Sequence, residues 1–220
     1  MSLVSDIAIR LRTALNTRER LANKNIANGY AGLDYNSKIL ESVLPKALTK
    51  NSSRYYSSPC NSTALTTATL APNTIYAMPL VLERATQINA IQINVTTSRA
   101  SSFIRVGIYS DNGNLIPLNL ILDAGSQSSA TTGVKSYTTG IPISLESGLY
   151  WLVCVSNSNP IIRGFAVTGL IPILGIDSGI GTAHGLGYSA NFTFGTLSAN
   201  FPAGPAIITT TPLPFVGVKT

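Results

Sequence analysis

The sequence predicts a mainly β protein: a C-terminal β-sandwich, jelly-roll-like, preceded by an N-terminal α-helix. Three observations carry this. Charged residues make up only 11% of 220 positions, while Gly, Pro, Ser, Thr and Asn are abundant, a composition of many turns and few solvated helices. From Leu65 onward, short apolar stretches recur at fairly even intervals between Gly, Asn and Ser turns, the pattern of a sandwich or jelly roll. Finally, the seven residues Leu149–Val155 carry no charge, hold the only Trp and follow the turn pair Ser147-Gly148. Such a run reads as a strand buried on both faces, at the centre of the domain. A helix so short would be marginal in water and would disfavour Val153-Cys154-Val155.

Ahead of the strands, residues 3–24 read as a helix. Val4, Ile7, Leu11, Ala14, Arg18 and Leu21 recur at three- and four-residue spacing, the a/d seam of three short heptads. Ser2 or Ser5 can cap its start, and Asp6 complements the positive end of the dipole. Arg18 interrupts the seam. About twenty residues with so narrow a stripe bury little alone. Val4, Ile7, Leu11, Ala14 and Leu21 are therefore expected to form an oligomerisation surface, with packing on the chain's own β-domain as the alternative. Asn28-Gly29 and Gly32 then break the helix. Residues 46–63 are polar and aperiodic, a linker or extended arm. The expected organisation is a helix and linker motif over 1–50, an arm over 51–64 and the β-domain over 65–220.

Within that domain Leu65 opens the first strand. Thr74–Val81 alternates, with Pro79 marking an edge or a bulge. In Gln87–Thr96 the frame changes near Ala90, because Ile88 and Ala90 share one face while Ile91, Ile93 and Val95 share the other; this suggests a bulge. Ser102–Ser110 is a further strand, closed by Asp111-Asn112-Gly113 as a hairpin-type turn. Leu118–Ala124, Val134–Thr138 and Ile141–Leu145 lead into the central strand. Residues 169–190 are Gly-rich and apolar around Pro172 and Gly175. They read either as a patch covered by a neighbouring subunit or as irregular strands within one monomer.

The net charge of +6 is unevenly placed. Eight basic and four acidic residues fall in the first fifty positions, against seven basic and five acidic in the other 170. No basic groove is written into the β-domain, so a nucleic-acid partner is not expected. No apolar run reaches bilayer length, so no membrane insertion is expected either, and the charged first twenty residues lack the apolar core of a secretory signal. Cys60 sits in a loop and Cys154 in the buried strand. Their pairing is disfavoured in a chain that reads as made in a cytosol.

The string Ala27-Asn28-Gly29-Tyr30-Ala31-Gly32-Leu33-Asp34, followed by Lys38-Ile39 and Leu44-Pro45, resembles the linker near the N-terminus of many bacteriophage fibre proteins. Tyr35, Ser37, Leu40, Glu41 and Val43 depart from the usual pattern. The β-region also resembles a domain of phage structural proteins, at Pro72–Tyr76, Arg105–Gly113, Leu122–Gly125, Leu145–Leu152, Phe192–Leu197, Phe201–Gly204 and Pro214–Lys219. The resemblance implies a homotrimer, located in the virion and assembled in the bacterial host cytoplasm alongside other virion proteins. It implies a tail or head fibre presenting its β-domain outward, with a host-surface glycan as the candidate ligand. A capsid decoration protein is the alternative, since the chain has no shaft.

Little in the sequence suggests catalysis, and neither an enzymatic activity nor a cofactor is expected. His184 is the only histidine, and no nucleophile elbow is present. Gly179, Gly181 and Gly185 miss the spacing of a nucleotide loop. Asp111-Asn112-Gly113-Asn114 resembles half a Ca²⁺ loop without the distal Glu, so no metal site is expected. Glu83, Asp111, Asp123, Glu146 and Asp177 are the carboxylates from which a glycosidase pair would have to come. For glycan stacking, Tyr55, Tyr56, Tyr137 and Tyr188 are the loop or strand-end candidates, while Tyr109 and Trp151 are expected in the core.

Overall fold

The computed structural model describes residues 52–60, 65–176 and 184–220, all within the compact unit Lys50–Thr220. The predicted helix over 3–24, its seam residues and the linker string lie outside the described residues, as do residues 177–183. What is described is mainly β, in antiparallel sheets.

Among the described residues fifteen strands are numbered in chain order. Sheet A has six, in the order β13 (Ala206–Ile208), β12 (Gly187–Asn191), β3 (Thr74–Leu82), β10 (Gly148–Ser156), β6 (Phe103–Asp111) and β7 (Pro117–Ser128). Sheet B is built on β2 (Leu65–Thr69), β11 (Ile161–Phe165), β5 (Ala90–Thr97) and β8 (Gly133–Tyr137), side by side in that order. Three short strands extend it: β14 (Leu213–Pro214) beside β11, β15 (Gly217–Lys219) beside β5, and β1 (Tyr55–Tyr56) beside β15. A separate ribbon pairs β4 (Thr86–Ile88) with β9 (Ile143–Leu145).

The chain changes sheet at nearly every step. β2 lies in B, β3 in A, β5 in B and β6 in A; the β6–β7 hairpin stays in A, and then β8 returns to B, β10 to A and β11 to B. This weaving places residues from both sheets against one another. Met78, Leu80, Val106, Ile108, Leu152 and Cys154 from sheet A form one core with Ile91, Ile93, Val95, Tyr137, Ile162 and Val218 from sheet B.

The central strand is where the sequence places it. β10 pairs with β3 from Gly148↔Leu82 to Val155↔Ile75, and with β6 from Tyr150↔Ser110 to Ser156↔Ile104. Side chains of a strand alternate between faces. Leu152 and Cys154 enter the core between the sheets, while Trp151, Val153 and Val155 enter a second core on the far side of sheet A. Leu197 and Phe201 close that second core, and they belong to the segment 192–205 that follows β12. Two apolar faces therefore each have a cover, and Trp151–Ser156 is buried throughout.

Several sequence expectations are refined. Pro79 is not in a bulge, since it pairs in register with Trp151 of β10, but it does stand at a local edge of the pairing. On its other side β12 has already ended at Tyr188↔Ala77, and there the Pro79 carbonyl accepts a bond from Ser58 Oγ at 2.8 Å. The missing N–H thus faces no strand, which is why proline is tolerated there. The frame change near Ala90 is a strand break, not a bulge. Asn89, whose N–H donates to Lys219 O, separates β4 in the ribbon from β5 in sheet B. The arm over 51–64 contributes β1, with Tyr55 and Tyr56 opposite Lys219 and Val218. Cys60 and Cys154 are free, the first exposed and the second buried.

Candidate functional site

The carboxylates on sheet A are spent on structure. Asp123 receives Arg105 Nε at 2.8 Å, with Gly125 N and Leu197 N each at 3.0 Å. Burial alone would raise its pKa, but Arg105 and the two N–H donors hold it below the ordinary value. Asp111 takes the indole N–H of Trp151 at 2.9 Å on one oxygen, and Gly113 N at 2.7 Å and Leu115 N at 3.3 Å on the other. It is a turn residue, as expected. Glu83 and Glu146 are exposed on segments joining strands. Asp177, Gly179 and Gly181 lie outside the described residues. Among the described residues no three His, Cys, Asp or Glu side chains come together to hold a metal. His184 forms an isolated bridge with Ile176.

The aromatic candidates separate cleanly. Tyr109 and Trp151 are fully buried, as expected. Tyr137 is core as well, against expectation: it is 0% exposed and its hydroxyl crosses to Ile104 O at 3.0 Å. Tyr188 is also buried, its ring 5.3 Å from that of Trp151. Both sit near strand ends in the sequence, but the covering layers lie elsewhere in the chain, and no local pattern reveals them. Tyr56 packs against the main core. Only Tyr55 is turned to the outside.

Its place follows from register, because directly opposed residues on antiparallel strands project to the same face. Ile91, Ile93 and Val95 of β5 point into the core, so Ala90, Gln92 and Asn94 point out. Opposite them stand Lys219 and Gly217 on β15, and Ser136 and Val134 on β8. Tyr55 is opposite Lys219. On β11, Ile162 is core and Arg163 is exposed, with Thr67 of β2 opposite. The N–H of Phe215 donates to Arg163 O at 2.8 Å, continuing the β14–β11 pairing. Val216 and Val218 are buried. Phe215 is half-buried and packs on the main core as Tyr56 does, and its ring edge reaches the outward side at Gly217, whose added Cβ would meet it.

No protein-family model matches this chain, and no curated protein matches it in sequence. The outer face of sheet B is therefore argued from its own chemistry. Gln92 Nε2 donates to Ser136 Oγ at 2.8 Å, and Thr96 Oγ1 to Ile161 O at 3.1 Å. At Gly217 a Cβ would lie 3.0 Å from Phe215 Cε1 and 3.1 Å from Tyr55 Cβ. The glycine thus lets the two aromatic residues close over the strand. The result is an open face of amides and hydroxyls, with two half-buried rings and two cations.

Two other features were weighed. A shallow cleft beside β12, lined by Thr74, Ser189, Asn191, Pro202 and Gly204, has no charged or aromatic lining residue. The Gly-rich region 169–190 divides between the two expectations. Leu170 and Leu174 pack on the cores and β12 is a regular strand, yet Ile171 and Ile176 stay 57% and 48% exposed. Ile207 is likewise 54% exposed, and a Cβ on Gly185 would touch both it and Leu174.

Proposed function

We propose that this is a phage virion structural protein: a homotrimeric tail or head fibre in which residues 1–50 trimerise or dock and a jelly-roll-like β-sandwich faces outward. What supports the reading is the conjunction of the fibre-type linker string with the wiring of the β-domain. The two strand sets β2-β11-β5-β8 and β3-β10-β6-β7, with one hairpin staying in its sheet, have the connectivity of a jelly roll. That architecture serves viral capsid and lectin domains alike. Fold alone leaves function open, so the linker string is what points to a fibre. The role is structural and adhesive rather than catalytic. Immunogold labelling of intact particles tests it: label on the tail or on discrete head projections is expected, and purified particles without the protein would refute it.

The second reading, a capsid decoration protein, draws on the exposed apolar side chains of Ile171, Ile176 and Ile207. Exposed apolar patches rimmed by polar residues mark interaction sites, and these side chains would suit a capsomer as well as a sister subunit. Uniform label over the head would favour it.

A further inference from the structure

We propose that the outer face of sheet B binds an acidic polysaccharide, with Tyr55 and Phe215 as the ring platform and Arg163 and Lys219 as the cations that receive its anionic groups. This deepens the fibre reading by naming the ligand class, and it rests on that reading only for where the glycan is met.

Charge decides the class. The strands of sheet B carry Lys135, Arg163 and Lys219 and not one carboxylate side chain. Glu83, Asp111, Asp123 and Glu146 all lie on sheet A or on segments outside sheet B. Among the described residues the one ion pair is Arg105–Asp123, so no described acidic side chain satisfies Arg163 or Lys219. Arg163 is exposed on a regular strand, where its planar fork can take a carboxylate in two parallel bonds.

Shape and hydrogen bonding decide the rest. Phe215 stands beside Arg163, and Gly217 and Lys219 follow at alternate positions. The four residue steps from Phe215 to Lys219 span up to roughly 13 Å, room for a short oligosaccharide rather than one sugar. The Phe215 ring is held by Phe165, 5.0 Å away, and Tyr55 is held by its pairing with Lys219. A sugar's C–H face can lie on such rings while its hydroxyls reach polar neighbours. Gln92 spends one amide proton on Ser136, which leaves the Gln92 carbonyl as an acceptor and the Ser136 hydroxyl hydrogen as a donor. Asn94 and Thr67 extend the same surface. A single-stranded nucleic acid also uses rings and cations, but along a continuous basic groove, and this face offers two separated cations among neutral amides.

The test uses the full chain in titrations against alginate, polygalacturonate and colominic acid, with dextran as the neutral polymer and an oligothymidylate as the non-sugar polyanion. At least one acidic polysaccharide should bind about tenfold or more tighter than dextran, and the Arg163→Gln/Lys219→Gln double variant should lose about tenfold of that affinity. Tyr55→Leu should weaken the polysaccharide without changing the melting curve, and Glu146→Gln, away from the face, should bind as the parent does. The proposal is overturned if no acidic polymer exceeds dextran, if the double variant binds unchanged, or if oligothymidylate binds as tightly as the best polysaccharide. Labelling of particles is read separately. Glycan binding by a protein absent from virions would remove the fibre reading and leave the site standing; a virion protein that binds none of the polymers would do the reverse.

Discussion

On sheet A the outward side chains Tyr109, Trp151 and Val153 lie under Leu197 and Phe201, whereas on sheet B no comparable layer covers the outward Gln92, Asn94 and Ser136 among the described residues. The difference begins in the strands. β10 is apolar on both faces and β5 alternates apolar with polar, so one needs a second cover and the other does not. The cover over sheet A is also pinned by hydrogen bonds. Phe192 N and Phe194 N bond to Asn73, Leu197 N to Asp123, and Phe201 N to Leu118 O, while Ser198 O accepts from the Tyr109 hydroxyl. The proposed ligand face is the side that has no such roof among the described residues.

If that contrast is right, the largest effect should come from beneath the roof. Trp151→Ala removes a fully buried indole and its bond to Asp111, and should lower unfolding free energy by about 3–5 kcal/mol. A urea midpoint equal to the parent's would show that the second core contributes nothing.

Next comes the anchor. Asp123→Asn loses the charge that meets Arg105 and the N–H groups of Leu197 and Gly125, with an expected loss of about 1.5–3 kcal/mol. The pH dependence has a definite sign. A carboxyl held below its ordinary value of 3.8 in the fold binds its proton more readily when unfolded. Its stabilisation is therefore complete above that ordinary value and is lost as pH falls through the depressed one. Thermal melts should fall in the acid for the parent and more shallowly for the variant; parallel curves would remove Asp123 as the anchor.

Gly107→Ala tests how tightly the roof sits. A Cβ there would lie 2.4 Å from both Leu122 O and Leu197 Cδ1, so the backbone partner or the roof must move, at about 1–3 kcal/mol. Native-like amide exchange over 192–205 in this variant would show that the roof has room to give. The smallest effect is expected on the bare face, where Asn94→Ala should stay within about 0.5 kcal/mol of the parent. A larger loss would mean that sheet B's outer face is not the solvated surface its polar alternation indicates.

Much of this was legible in the chain. The uncharged run around Trp151, the alternation of Thr74–Val81 and the Asp111-Asn112-Gly113 turn are local patterns. Thr74–Val81, Ser102–Ser110 and Leu149–Val155 formed strands within a residue of those bounds, whereas Leu118–Ala124 runs on to Ser128 and Gln87–Thr96 is divided at Asn89. Burial on both faces of the central strand was readable too, because a strand without polar positions has no face to give to water. The polar outward positions of β5 were equally visible as an alternation. What the chain could not show was which residues meet across strands. Tyr137 and Tyr188 look like exposed strand-end aromatics until Ile104 O and Trp151 are brought to them from more than thirty positions away. Tyr55, Gln92, Arg163 and Phe215 come from four distant segments, and only the pairing of β1, β5, β11 and β15 gathers them on one face. Side-chain alternation is a property of consecutive residues and is written in the sequence. Register between strands is set by the packing of the whole core, and it exists only once the chain has folded.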